Sequence, residues 1–187
     1  REGVTPIQML QTTGDDTYVS PDYMSDLEIL ARTIQEEAKG ESNKGKLAVG
    51  AVIANRVKAQ LRGKNLKEVI LSPYQFSPWN SWTGAAKGEQ GKDMLGVSAK
   101  PSEESYEAAR KILSGDYIDP TSGATHFVNP KVSKPNWYGK FVKNDPLKIG
   151  KHQFGSPDDR FWKFRGIDVS VKKSLRPKVR PKGLGAK

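Results

Sequence analysis

The chain of 187 residues contains no cysteine and only two histidines. Without cysteine it can form neither disulfides nor thiolate zinc sites, and it has no cysteine nucleophile. It also lacks any run of 18 consecutive apolar residues, so the sequence encodes no membrane-spanning helix. Because the chain starts at Arg1 without an apolar leader segment, we expect a soluble, processed product.

Charge is unevenly balanced, with a formal net charge of +10 and a pI near 9.7. Such an excess favours a polyanionic partner, which could be nucleic acid, anionic lipid or an acidic cell-wall polymer. Residues 163–187 are rich in lysine, arginine and proline and predict a basic C-terminal tail. Residues 1–22 are polar and lack periodicity, which predicts a leader or linker. One domain over residues 23–162 remains.

The spacing of apolar residues predicts an α+β domain that is mainly helical. A first helix, capped by Ser25 or Asp26, should run to about Lys39 and end at Gly40. Residues 47–57 are apolar on nearly all sides and predict a buried central helix. Further helices are predicted at residues 65–71 and 102–113, and short strands at residues 123–130 and 149–154. The irregular stretch 73–100 is expected to border a cleft.

The first helix carries a carboxyl group at the margin of its apolar stripe. The stripe consists of Leu27, Leu30, Ala31, Ile34 and Ala38. Glu36 points away from this stripe, whereas Glu37 lies at its edge. A carboxyl group against apolar side chains is poorly solvated when ionised, so its pKa rises and it can donate a proton. The alternative is a boundary residue paired with Arg32 or Lys39.

Four blocks of sequence carry a resemblance to a known family. Residues 30–57 include the motif Glu37-Ala-Lys-Gly-Glu41. Three further blocks follow it, namely Tyr74-Gln-Phe-Ser77, Gly123-Ala-Thr-His-Phe-Val-Asn-Pro130 and Ile149-Gly-Lys-His-Gln-Phe154. In composition and order these blocks resemble the SleB-type cell-wall hydrolases, also called spore-cortex-lytic enzymes. The chain departs from the family pattern at Lys39, where arginine is usual, and at Thr125-His126, where many members have an aliphatic residue and a tyrosine.

The resemblance implies a lysozyme-like single domain with a small β region. It also implies cleavage of the peptidoglycan glycan strand between N-acetylmuramic acid and N-acetylglucosamine, typically by a lytic transglycosylase that leaves a 1,6-anhydromuramoyl product. The family's catalytic glutamate corresponds to Glu37, acting as general acid and then base without metal or cofactor. The expected location is the cell wall or periplasm, reached by secretion or by delivery as a phage lytic or virion protein.

Other residues are candidates around this glutamate. Glu41 lies one turn beyond Glu37, where its charge could raise the pKa of Glu37 or serve as a second carboxylate; the alternative is a helix-end charge. Asp93 is a weaker candidate. The substrate-binding candidates are Gln75, Phe76, Ser77, Trp79, His126, Asn129, Tyr138 and His152. Phe76 and the tryptophans Trp79 and Trp82 have core packing as their alternative role.

Three alternatives in function stay open at this point. A glycoside hydrolase would use Glu41 as its second carboxylate. A zinc-dependent amidase would use His126 and His152 with a glutamate, although no His-Glu-x-x-His run exists. A nucleic-acid-binding module would use the basic charge. The expected partners are peptidoglycan glycan strands, together with anionic wall polymers or an outer-membrane surface bound by the tail. We expect no specific nucleic acid, and a monomer unless the chain is part of a larger assembly.

Overall fold

The computed structural model describes residues 20–83 and 100–158. Six α-helices are present in these residues: α1 Asp26–Glu37, α2 Asn43–Lys58, α3 Leu66–Ile70, α4 Asn80–Thr83, α5 Glu103–Ser114 and α6 Tyr138–Lys143. Three short strands, β1 His126–Val128, β2 Leu147–Ile149 and β3 His152–Gly155, form one antiparallel sheet in the order β1-β3-β2. The expected α+β, mainly helical fold is confirmed.

Side-chain caps start the main helices where the sequence predicts them. Ser25 accepts a hydrogen bond from the Glu28 backbone nitrogen at 3.1 Å, and Ser102 caps α5 in the same way. The predicted end of α1 at Lys39 is two residues too late. The helix ends at Glu37 because Ala38 leaves the helical conformation and the chain turns through Gly40, whose φ is +76°.

Helices α1, α2 and α5 pack around one core, with α2 at its centre. Their fully buried side chains include Ile29, Leu30, Ile34, Val49, Val52 and Ile53. Gly50 allows the close approach of the three helices. A β-carbon at this position would lie 2.9 Å from Ile112 Cγ1 on α5 and 3.0 Å from Ile34 Cδ1 on α1. The core therefore fixes the relative positions of the helices that carry the site.

The sheet differs from the sequence prediction in its strand bounds: β1 covers only His126–Val128 of the predicted 123–130, and the second predicted strand is divided. Residues 149–154 were predicted as a single strand, but the chain turns within them. Ile149 ends β2, Gly150 has a φ of +59° in the turn, and β3 begins at His152. This glycine can adopt a left-handed conformation at little cost, so it allows the turn that separates β2 from β3.

Several sequence expectations lie outside the described residues, namely residues 1–19 of the leader, the tail 163–187 and Asp93. At the leader's boundary, Pro21 and Met24 are buried, and Pro21–Tyr23 forms a 3₁₀ turn. Among residues 20–83 and 100–158, none of the helices is both long and apolar enough to cross a membrane.

Candidate active site

An open cleft of about 370 Å³ lies where α1 and α2 end beside β1. It is lined by Glu37, Arg56, Arg62, Tyr74, Gln75, Ser77, Asn80, His126, Phe127 and Trp137. Four of these residues, Glu37, Gln75, Ser77 and His126, are candidates named from the sequence. The structure therefore brings together four candidates that lie up to 89 positions apart in the chain, from Glu37 to His126.

Glu37 is the last residue of α1 and presents its carboxyl group to the cleft. Burial raises the pKa of this carboxyl to about 7, partly opposed by the positive charge of Arg56 and reinforced by the negative charge of Glu36. Arg32, one of the partners considered for Glu37, instead bonds Glu28 through Nε and Oε1 at 2.5 Å. The cleft thus holds a carboxyl group that can both donate and accept a proton near neutral pH.

Arg56 is a buried cation that sequence reasoning missed. Its Nε donates to the Thr125 carbonyl oxygen at 2.7 Å, and its Nη1 donates to Gln75 Oε1 at 3.4 Å. Its guanidinium also lies 5.2 Å from the ring centroid of Phe76. Burial lowers the pKa of Arg56 to about 10, although the Glu37 charge opposes this shift. A charged residue inside the nearly apolar stretch 47–57 was the available signal, because a buried charge requires partners.

Aromatic and imidazole side chains form one wall of the cleft. His126 packs edge-on against Trp137 with ring centroids 5.1 Å apart, and its Nδ1 lies 3.0 Å from Thr125 Oγ1. Burial lowers the pKa of His126 to about 3, and the charges of Arg56 and Arg62 lower it further. The ring is therefore neutral at physiological pH and can act as a hydrogen-bonding group. Trp137 was missed, and the sequence pointed to its neighbour Tyr138, whose hydroxyl bonds Gln153 Oε1 at 3.1 Å.

Three other candidates lie away from the cleft lining. Phe76 and Trp79 are each 1% exposed, and Trp79 Nε1 donates to Thr33 Oγ1 at 3.0 Å. Both are core side chains, the alternative left open by the sequence, and neither offers a ring face to a sugar. Asn129 Oδ1 accepts from the Lys131 backbone nitrogen at 3.1 Å and so stabilises the turn after β1.

Glu41 and His152 form a separate contact beneath the turn between β2 and β3. Glu41 Oε2 accepts from the Lys151 backbone nitrogen at 3.3 Å, and its Oε1 lies 3.7 Å from His152 Nδ1. Burial lowers the pKa of His152, although the Glu41 charge opposes this shift. Neither side chain lines the cleft, and the charges that act on Glu37 are those of Arg56 and Glu36.

A zinc site built on the two histidines finds no support in this geometry. His126 opens β1 and pairs with Gly155, whereas His152 opens β3 and pairs with Ile149. In the part of the chain that the structure describes, no three histidine or carboxylate side chains lie close enough together to hold a metal ion.

Comparison with known proteins gives consistent matches. A family model described as Cell Wall Hydrolase matches residues 40–155. A spore cortex-lytic enzyme of Halalkalibacterium halodurans is 31% identical over 130 residues, which are 70% of this chain and 34% of the relative. The cell wall hydrolase CwlJ of Oceanobacillus iheyensis is 32% identical over 119 residues, 63% of this chain and 78% of the relative.

Among solved structures, the catalytic domain of the germination-specific lytic transglycosylase SleB from Bacillus anthracis has a TM-score of 0.52 and 29% identity, covering 73% of this chain and 99% of that domain. The catalytic domain of Bacillus cereus SleB gives 0.53 and 29%, covering 76% and 99%. The chain spans about a third to a half of the length of the spore cortex-lytic enzymes that it matches. Because the family model matches well over half of the chain and the fold agrees, the resemblance is confirmed: the chain belongs to the cell wall hydrolase family.

Proposed function

We propose that the chain cleaves the glycan strand of peptidoglycan between N-acetylmuramic acid and N-acetylglucosamine, as a lytic transglycosylase with Glu37 as general acid and then base. The observation that carries this proposal is the carboxyl group of Glu37, which faces an open cleft and has a pKa of about 7. An acid–base group works best when its pKa lies near the working pH. The similarity to a catalytic domain named as a lytic transglycosylase supports the same reaction.

The reaction needs one carboxyl group in two protonation states. Protonated Glu37 donates its proton to the glycosidic oxygen, and the bond to C1 of the muramic acid breaks. The N-acetyl group beside C1 can stabilise the developing positive charge. The Glu37 carboxylate then accepts the proton of the C6 hydroxyl, whose oxygen bonds to C1 and closes the 1,6-anhydro ring. Glu37 ends protonated, and no water is consumed.

The composition of the cleft favours this route over hydrolysis. A hydrolase of the usual kind places a second carboxylate about 5–9.5 Å from the acid. Within the described residues, Glu37 is the one carboxyl group in the cleft lining. Arg56 supports the first half of the cycle, in which Glu37 donates its proton, because its positive charge stabilises the carboxylate that then forms.

The remaining lining residues suit a sugar chain. Gln75, Ser77 and Asn80 offer polar side chains for hydroxyl and acetamido groups, and the rings of His126 and Trp137 offer apolar surface to a pyranose. We place the enzyme at the cell wall as a monomer that needs neither metal nor cofactor. In this proposal the basic tail binds anionic wall polymers, and either secretion or phage delivery brings the chain there.

The test is mass spectrometry of the fragments released from purified peptidoglycan by the native chain and by Glu37→Gln. The native chain should release fragments one water lighter than hydrolysis products, with or without a chelator. Glu37→Gln should lose at least about 100-fold in cleavage rate, because glutamine has a similar shape but no transferable proton. The matched control is Glu107→Gln on α5, at an exposed glutamate paired with Lys111, which should cleave like the native chain.

Other products would contradict the proposal in distinct ways. Reducing-end sugars would indicate a hydrolase with a second carboxylate. Freed peptides whose release a chelator stops would indicate a zinc amidase. An active Glu37→Gln variant would remove Glu37 from the mechanism, and no release by the native chain would favour a binding module.

A further inference from the structure

Glu41 is held in a closely packed environment four residues after the proposed acid, beyond the end of α1. The side chain is buried and bonded to the Lys151 backbone nitrogen, and its other oxygen faces His152 Nδ1. Two glycines make room for it. A β-carbon at Gly45 would lie 2.9 Å from Glu41 Cβ, and a β-carbon at Gly150 would overlap Glu41 Oε2. The turn between β2 and β3 is therefore shaped around this carboxylate.

This contact joins the end of α1 to the sheet. The backbone nitrogen of Glu41 bonds the carbonyl of Ala38 at 3.0 Å, directly after Glu37. On the other side, His152 packs edge-on against Phe127 with ring centroids 5.5 Å apart, and Phe127 lines the cleft. The contacts thus run from the segment that carries the acid, through Glu41 and His152, to the opposite wall of the cleft.

We propose that Glu41 is a positioning residue: its contacts with the β2–β3 turn hold the end of α1, and with it the Glu37 carboxyl, in place against the wall formed by β1. The proposal rests on the proposed function of Glu37. It assigns Glu41 no proton transfer, which distinguishes it from the second carboxylate of a hydrolase.

The first test compares Glu41→Ala with Glu41→Gln. Loss of the side chain frees the end of α1, so the rate constant kcat should fall about 10- to 100-fold, the effect of a displacement on the order of 1 Å, while KM changes little. Glu37 should also become better solvated, so the upper limb of the pH–rate profile should move to lower pH. Glu41→Gln keeps an acceptor for Lys151 and should retain most of the native rate and pH profile.

The second test disturbs the contact of Glu41 by a substitution in the β2–β3 turn. Gly150→Ala should lower kcat because its methyl group displaces the Glu41 carboxylate. The matched control is Gly115→Ala, since Gly115 has a φ of +76° but no atom within 4 Å of the added carbon. This control places alanine at a positive φ, as Gly150→Ala does, but its added carbon overlaps no other atom. It should therefore keep the native kcat. In the Glu41→Ala background, Gly150→Ala should cause little further loss of kcat, because the carboxylate it displaces is gone.

Each outcome decides between positioning and the alternatives. If Glu41→Gln is as inactive as Glu37→Gln, Glu41 is a proton-transferring carboxylate and the positioning proposal is wrong. It is also wrong if Glu41→Ala keeps the native kcat and pH profile, or if Gly150→Ala matches Gly115→Ala. Should Gly150→Ala fail to fold, the two Glu41 variants still decide. Activity in Glu37→Gln would instead contradict the proposed function, so the two failures are distinguishable.

Discussion

At the residue scale, Glu37 shows how position on a helix sets chemistry. The sequence places it at the margin of an apolar stripe, and the structure places its carboxyl in a cleft where burial outweighs the charge of Arg56. The consequence is a pKa of about 7 instead of the ordinary 4.5. The same burial that raises this pKa must weaken the folded state when the group ionises.

This coupling predicts a pH-dependent stability. Because the pKa is raised in the folded state, the contribution of Glu37 is fully present below pH 4.5 and is lost as the pH rises through 7. The shift corresponds to roughly 3 kcal/mol. The free energy of unfolding of Glu37→Gln should therefore exceed that of the native chain by about 1–3 kcal/mol at pH 8. At pH 4.5 the two free energies of unfolding should be nearly equal. Urea unfolding at both pH values measures this difference.

The matched control is again Glu107→Gln, which removes an exposed carboxylate whose pKa is lowered by Lys111. This variant should show no gain in stability at pH 8. If the native chain and Glu37→Gln differ equally at both pH values, burial does not raise the pKa of Glu37.

At the scale of elements, the sequence predicted those features that depend on residues close together in the chain, such as the starts of helices. The caps at Ser25 and Ser102 follow from side-chain hydrogen bonds to backbone nitrogens three residues later in the chain. The partners of Arg56 and the position of Trp137 in the cleft could not be predicted in this way. They depend on contacts that β1 and the segment before α6 make with the end of α2. The periodicity of apolar residues along the chain does not specify these long-range contacts.

The packing of α2 against its neighbours predicts an asymmetric response of two helical glycines. Gly50→Leu would force a side chain into the space occupied by Ile34 and Ile112, and should lower the free energy of unfolding by about 1–3 kcal/mol. Gly139→Leu on α6 meets no atom within 4 Å at its β-carbon, and should be neutral or slightly stabilising because leucine favours helices. Thermal or urea unfolding of both variants checks this. Equal effects would mean that Gly50 is not a packing contact.

At the scale of the whole molecule, most of the net positive charge belongs to the tail sequence rather than to the residues that line the cleft. Residues 172–187 carry seven basic and no acidic side chains, so removing them lowers the formal net charge from +10 to +3. Among the described residues, those that line the cleft lie between positions 37 and 137, and the contacts of Glu41 extend to His152, so all of them precede this segment in the sequence. We therefore expect the tail to govern attachment to an anionic wall and the cleft to govern bond cleavage.

Deleting residues 172–187 should weaken binding to isolated cell walls at low salt, and the difference should disappear at about 1 M salt, where the Debye length falls to about 3 Å. Cleavage of short soluble glycan fragments should keep its native rate, because these substrates need no anchoring. A variant with the same tail residues in scrambled order should bind like the native chain, since long-range attraction depends on charge rather than sequence. Cosedimentation with walls across a salt series measures the binding of the native, truncated and scrambled chains, and a separate assay on the soluble fragments measures cleavage. Weak binding by the scrambled variant would indicate that a specific sequence motif in the tail binds the wall. Unchanged binding by the truncated chain at low salt would indicate that the wall-binding surface lies outside the tail.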